Sequence, residues 1–140
     1  MKIKFKRLSK YAVMPTKAHP TDAGFDLYSS VTVTIPSGER MLIPTEIAME
    51  IPKGYFGAVV GRSGNTIKRG LLVMTGIIDA GYRGPIGIMA YNLSNEDITI
   101  RQGEKAAQIV LIPILGCEMQ ESDELSQSDR GENGYGSTGK

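Results

Sequence analysis

Apolar and polar positions alternate along most of the chain in short runs, and Gly, Pro, Asn or Ser interrupts them every few residues. Residues 1–8 interleave Ile3 and Phe5 with lysines, the mark of a half-buried strand. Residues 31–35 alternate Val and Thr, end on Ile35, and close at the turn formers Pro36, Ser37 and Gly38. Residues 40–43 form another short strand, cut by Pro44. Residues 46–51 carry Glu, Ala and Met, which favour helix, but so short a run between two prolines fits a strand better. Strands are also predicted over residues 55–60, 98–100 and 106–114, and Pro113 predicts that the last of these lies at a sheet edge or ends there. Residues 65–69 suit a single helical turn. There is no long amphipathic helix and no tandem repeat. Roughly ten short strands at this turn spacing predict an all-β barrel or sandwich.

One stretch departs from ordinary turn chemistry. Residues 76–84 read Gly-Ile-Ile-Asp-Ala-Gly-Tyr-Arg-Gly between two apolar runs, 71–74 and 86–91. The pattern predicts a hairpin. Within it stand a carboxylate, Asp79, a ring, Tyr82, and a guanidinium, Arg83, while its glycines let backbone approach another molecule closely. This is the composition of a seat for a small planar ligand with Asp79 acting on it, set against the plainer reading of a surface hairpin with a decorative acid. Arg83 has no assigned role.

The end of the chain has a different character. From Gln120 onward the large apolar residues are Leu125 and Tyr135 alone, too few to order a segment by burial. Residues 1–120 are therefore expected to form one domain, with 121–140 a flexible C-terminal lid. Arg130, Ser137, Thr138 and several glycines have a phosphate-contacting composition, and Tyr135 adds a stacking surface. The glycine spacing at 134, 136 and 139 imitates nucleotide-binding fingerprints, but those need a strand before and a helix after the glycines, so the match is expected to be a coincidence of glycine density.

Composition narrows the possibilities. At 140 residues with a net charge of +1, the chain is one domain in size, and its bulk charge gives no reason to expect nucleic acid or membrane partners. A single cysteine, Cys117, excludes an internal disulfide and a multi-cysteine zinc site; its apolar surroundings predict a small buried hydrophobe. The sole histidine, His19, in a Pro-flanked loop, predicts a solvated side chain and excludes histidine clusters. No apolar stretch is long enough to span a bilayer, and residues 1–6 lack the core of a signal peptide. The expectation is a soluble protein of the cytoplasm, or of a host's cytoplasm if virus-encoded.

Three separated stretches share one theme. Gly61, Arg62, Ser63 and Gly64 offer a cation, a hydroxyl and backbone amides; Asp79 and Tyr82 offer a base and a flat surface; the tail offers a second arginine, a ring and hydroxyls. Together they suit a nucleoside triphosphate. On these residues the chain resembles the homotrimeric dUTPases. Five stretches match that family's five motifs in order: residues 23–29, 61–64, 76–84 with Ile86 and Asn92, 103–113 with Gln108, and 130–139.

The resemblance implies a distorted, β-clip-like jelly roll and a homotrimer with shared active sites. It implies hydrolysis of dUTP to dUMP and pyrophosphate with Mg²⁺, removing dUTP and supplying dUMP for thymidylate synthesis. Carried onto this chain, Asp79 contacts the 3′-hydroxyl and activates water, and Tyr82 leaves no room for a 2′-hydroxyl. Backbone at Gly76, Ile77, Ile78 and Gly87 reads uracil. Arg62, Ser63, Gly64 and Gln108 hold phosphates or water, and Asp26 holds a water on Mg²⁺. Arg130, Tyr135, Gly136, Ser137 and Thr138 close over the nucleotide. Three departures stand out: Tyr135 where the family usually has phenylalanine, Asn65 where an apolar residue is common, and an acid-rich approach to the lid from Glu121 to Asp129, expected to slow its docking on an anionic substrate. The rival readings are a dCTP deaminase-like enzyme of the same fold, disfavoured because residues 61–70 hold no carboxylate, and a nucleotide-gated protein-binding switch.

Overall fold

The computed structural model describes residues 2–134. They form eleven strands and one short helix: β1 Lys4–Arg7, β2 Gly24–Tyr28, β3 Val33–Ile35, β4 Arg40–Pro44, β5 Ile47–Glu50, β6 Tyr55–Val60, α1 Ser63–Arg69, β7 Leu71–Val73, β8 Gly76–Ile78, β9 Gly87–Asn92, β10 Ile98–Ile100 and β11 Lys105–Pro113. Every pairing is antiparallel. The sheets run β2-β11-β6-β8 and β4-β9-β7, with two-stranded pairs β1-β5 and β10-β3. The architecture is all-β, a distorted jelly roll. No helix among the described residues is long and apolar enough to cross a membrane.

The core explains why these runs become strands. Leu27, Ile43, Val59, Ile88, Ile100 and Ile109 come from six strands and are all essentially inaccessible. β-branched side chains dominate because they pack well on a pleated surface, and each large one stabilises the fold by about 1.5–3 kcal/mol when fully buried. Asn92 is also fully buried. It donates to the carbonyls of Ile35 at 2.9 Å and Glu96 at 2.7 Å, so its place in the third motif is structural.

Several expectations change. The runs around residues 76–84 do pair, Leu71 opposite Asn92, but the intervening stretch is more than a turn. Its first residues form β8, which leaves that sheet and pairs with β6, Ile78 opposite Gly57. β1 is exposed along its length, not half-buried, because it pairs with β5 alone. The helix begins at Ser63, two residues before the expected turn at 65–69, so it takes in Ser63 and Gly64. Pro113 ends β11, yet β11 lies inside its sheet between β2 and β6. Cys117 is exposed, not buried, because the sheet ends four residues earlier. After β11, the described residues 114–134 form neither helix nor strand.

Candidate functional site

Two clefts divide the predicted residues between them. The first, of about 380 Å³, is lined by Leu42, Pro44, Glu46, Ile77, Ile78, Asp79, Tyr82, Pro85, Ile86 and Gly87. β8 is an edge strand, and β7 is in register with β9 only between Ala90 and Asn92. The cleft lies where β8 and the start of β9 face each other without pairing. An edge strand presents unpaired N–H and C=O groups, which match the donor and acceptor rim of a planar heterocycle.

Asp79 follows β8 directly and is exposed. Its carbonyl accepts from the Tyr82 amide at 3.0 Å, which closes a tight turn. Arg83 spans that turn: its Nη1 donates to the carbonyls of Ala80 at 2.7 Å and Tyr82 at 2.8 Å. The residue without an assigned role is thus a strut for the turn that presents Asp79 and Tyr82. The Tyr82 hydroxyl donates to the Pro85 carbonyl at 3.1 Å, which folds the ring over Gly84.

The second cleft, of about 390 Å³, is polar and is lined by Asp22, Gly24, Asp26, Arg62, Ser63, Gly64, Asn65 and Gln108, with Ala18 and Ala23. Register builds it. Gln108 on β11 stands opposite Asp26 on one side and Val60 on the other, so Asp26, Gln108 and the chain leaving β6 share one row. The Gln108 amide donates to the Gly61 carbonyl at 3.1 Å. Its carbonyl end fills the space above Gly24, where a β-carbon would stand 3.1 Å from Cδ and closer still to Oε1. Gln108 therefore holds the Arg62 loop in place, with its second N–H left for the cleft.

Asp26 is the electrostatic centre of this cleft. Its two oxygens meet Arg62 Nε at 3.0 Å and Lys105 Nζ at 2.8 Å, and its side chain is 13% exposed. The hydrogen bond to Asp26, and then its negative charge, raise the Lys105 pKa above the ordinary lysine value of 10.5, so Lys105 is fully charged at neutral pH. Sequence reasoning missed Lys105, and singled out Asn65 only as a departure from the family pattern. A lysine in a turn reads as a solubilising residue, and only the β2–β11 register reveals its partner.

The two clefts are separate in one protomer. Ile78 stands opposite Gly57 on β6, whereas Arg62 follows the far end of that strand. At about 3.3 Å per residue, Asp79 and Arg62 are roughly 15 Å apart or more. Arg130 is exposed and bonds within its own turn, Nε donating to the Asn133 carbonyl at 2.9 Å. Tyr135, Gly136, Ser137 and Thr138 lie outside the described residues. Among the described residues no three His, Cys, Asp or Glu side chains gather as a metal cluster.

The sequence model of the dUTPase family matches residues 10–139. The chain is 42% identical to the deoxyuridine 5'-triphosphate nucleotidohydrolase of Clostridium novyi, covering 99% of each chain. It is 39% identical to that of Arabidopsis thaliana, covering 97% of this chain and 82% of the relative. Among solved structures, a variant dUTPase of Staphylococcus bacteriophage 80alpha with dUpNHpp superposes with a TM-score of 0.93 at 37% identity, covering 99% and 98% of the two chains. A variant from phage phi11 of S. aureus, described for its coordination of a structural Mg(II) ion, superposes at 0.87 with 32% identity, covering 91% of this chain and all of that one.

Proposed function

The chain belongs to the dUTPase family, hydrolysing dUTP to dUMP and pyrophosphate, and from that premise we propose that each of its catalytic sites is completed by more than one protomer of a homotrimer. The observation that carries this reading is the separation of Asp79 from Arg62. That separation is long for one nucleotide to span within a protomer, which supports a site completed by a neighbouring chain.

In the apolar cleft, the free edge of β8 at Gly76, Ile77 and Ile78, with Gly87 opposite, reads the uracil edge. Backbone groups fixed by strand pairing match uracil and leave cytosine mispaired, a mismatch that polar sites penalise strongly. The Tyr82 ring, held by Pro85, packs on the sugar and fills the space of a 2′-hydroxyl. Asp79 accepts from the 3′-hydroxyl and takes a proton from the attacking water. That water is a poor nucleophile until a carboxylate removes its proton.

In the polar cleft of a neighbouring protomer, Arg62 and Lys105 offset charge on the phosphates, with Ser63, Gly64 and Gln108 as further donors. A carboxylate has about four acceptor sites, and Asp26 spends two on Arg62 and Lys105. It therefore has sites left for a water on Mg²⁺, and a lone carboxylate fits an ion held mainly by the triphosphate. Bound there, Mg²⁺ neutralises charge on the leaving pyrophosphate. Residues 121–140, with Arg130, Tyr135, Gly136, Ser137 and Thr138, act as a lid that closes the site against water.

Two measurements test this. With Mg²⁺, pyrophosphate release from dUTP is expected to exceed that from UTP, dTTP and dCTP; equal turnover of UTP would overturn the role of Tyr82. Mixing Asp79→Asn and Arg62→Ala protomers is expected to restore activity that neither has alone. No recovery in mixed trimers would mean that each site is built within one chain.

A further inference from the structure

β6 ends at Val60, and its pairing with β11 begins only at Gln108. The first residues of β11 therefore have β2 on one flank and no strand on the other. α1 occupies that flank. The β11–β2 register also slips between Lys105 and Ala107, making Ala106 the extra residue of a bulge, where ladder bonding is locally lost. The Asn65 side chain reaches out of the first turn of α1 to this point. Its Nδ2 donates to the Lys105 carbonyl at 3.1 Å, with the Ala106 carbonyl at 3.5 Å as a second acceptor. Asn65 thus supplies, from a helix, the hydrogen bond that β6 no longer provides.

Both ends of this tie carry the cations of the polar cleft. Arg62 directly precedes α1, and Lys105 is the residue whose carbonyl accepts. Both pair with Asp26. The far end of α1 is anchored separately: Arg69 pairs with Glu104 and donates to the Thr99 carbonyl at 2.6 Å. Loss of the Asn65 bond therefore unties the first turn of α1 from the bulge and leaves the Arg62 end held by Gln108 and Asp26 alone, while the other end stays docked.

We propose that Asn65 is a positioning residue that fixes the spacing of Arg62 and Lys105, so that the two cations form one seat for the polyphosphate end of the nucleotide. This rests on the reading of the polar cleft as the phosphate site. An apolar side chain at this position fills the same volume but has no donor for the bulge.

The test uses the full-length trimer with Asn65→Ala and Asn65→Leu, the second keeping the packing volume if the first fails to fold. With the loss of one hydrogen bond worth about a tenfold effect, KM for dUTP and Ki for inorganic pyrophosphate are expected to rise about tenfold. Over the same comparison Ki for deoxyuridine should move less than about twofold and kcat less than about threefold. A purely structural role would weaken deoxyuridine and pyrophosphate together, and that result overturns the proposal, as does an unchanged Ki for pyrophosphate. Arg62→Ala separates the two levels. If it weakens pyrophosphate and the Asn65 variants do not, the Asn65 inference alone falls; if it too has no effect, the polar cleft is not the phosphate site and both readings fall.

Discussion

The ring of Tyr82 occupies the space that a β-carbon on Gly84 would need: such a carbon would stand 2.6 Å from the ring's Cζ. The glycine is there for the ring. Gly84→Ala must displace Tyr82 from its bond to Pro85, and both residues lie near the surface. The fold is expected to persist while kcat/KM for dUTP falls about tenfold, a barrier change of about 1.4 kcal/mol. On the role proposed for Tyr82, the ratio of dUTP to UTP turnover should fall with it, because the ring has moved. Steady-state kinetics on both nucleotides checks this; an unchanged ratio would remove Tyr82 from sugar discrimination.

Arg83 braces the same turn from the other side through the carbonyls of Ala80 and Tyr82. It is exposed, so Arg83→Ala should alter stability by no more than about 0.5 kcal/mol, as for most surface changes. Its effect should fall on chemistry, with kcat down about three- to tenfold as Asp79 loses its fixed orientation. A thermal melt set beside kcat measures the two effects separately. A large drop in melting temperature with kcat unchanged would make the arginine structural.

Much of this was legible in the sequence, and the exceptions have physical causes. Period-two alternation and turn residues reveal the strands because both are local properties. β8 escaped detection as a separate strand because Gly-Ile-Ile carries no information about its partner, and its partner β6 is distant in the chain. Lys105 and the role of Asn65 escaped for the same reason: each acts through a register-dependent contact. Cys117 was misread because apolar residues continue past Pro113, where the sheet has already ended. Sharing of sites between copies of the chain entered the sequence reading only through the family resemblance, since no local pattern encodes contact between copies.

The Asp26–Lys105 pair predicts a pH signature. Lys105 has its pKa raised in the folded protein above the ordinary 10.5. Its contribution to stability is therefore fully present below that value and is lost as pH rises through the folded pKa. Asp26→Asn should destabilise the protein by a constant amount across neutral and mildly alkaline pH. The gap between wild type and variant should then shrink above the ordinary lysine range. Thermal melts of both proteins from pH 7 upward check this; a gap that closes well below that range would assign the effect to another group.

Glu46 carries the only positive φ of a non-glycine residue among the described residues, 55°. It links β4 to β5, its carbonyl accepts from the Leu8 amide at 2.9 Å, and it lines the apolar cleft. A left-handed conformation costs an L-residue about 1–2 kcal/mol, whereas a glycine there loses about 0.4–1 kcal/mol through the greater freedom of the unfolded chain. Glu46→Gly is therefore expected to stabilise the protein by about 0.5–1 kcal/mol. Glu46→Val, β-branched and least tolerant of positive φ, should destabilise it. Denaturant melts of the three proteins decide the matter: if glycine and valine shift stability in the same direction, the bend at Glu46 is not strained, and its conformation is set by the packing of the flanking strands alone.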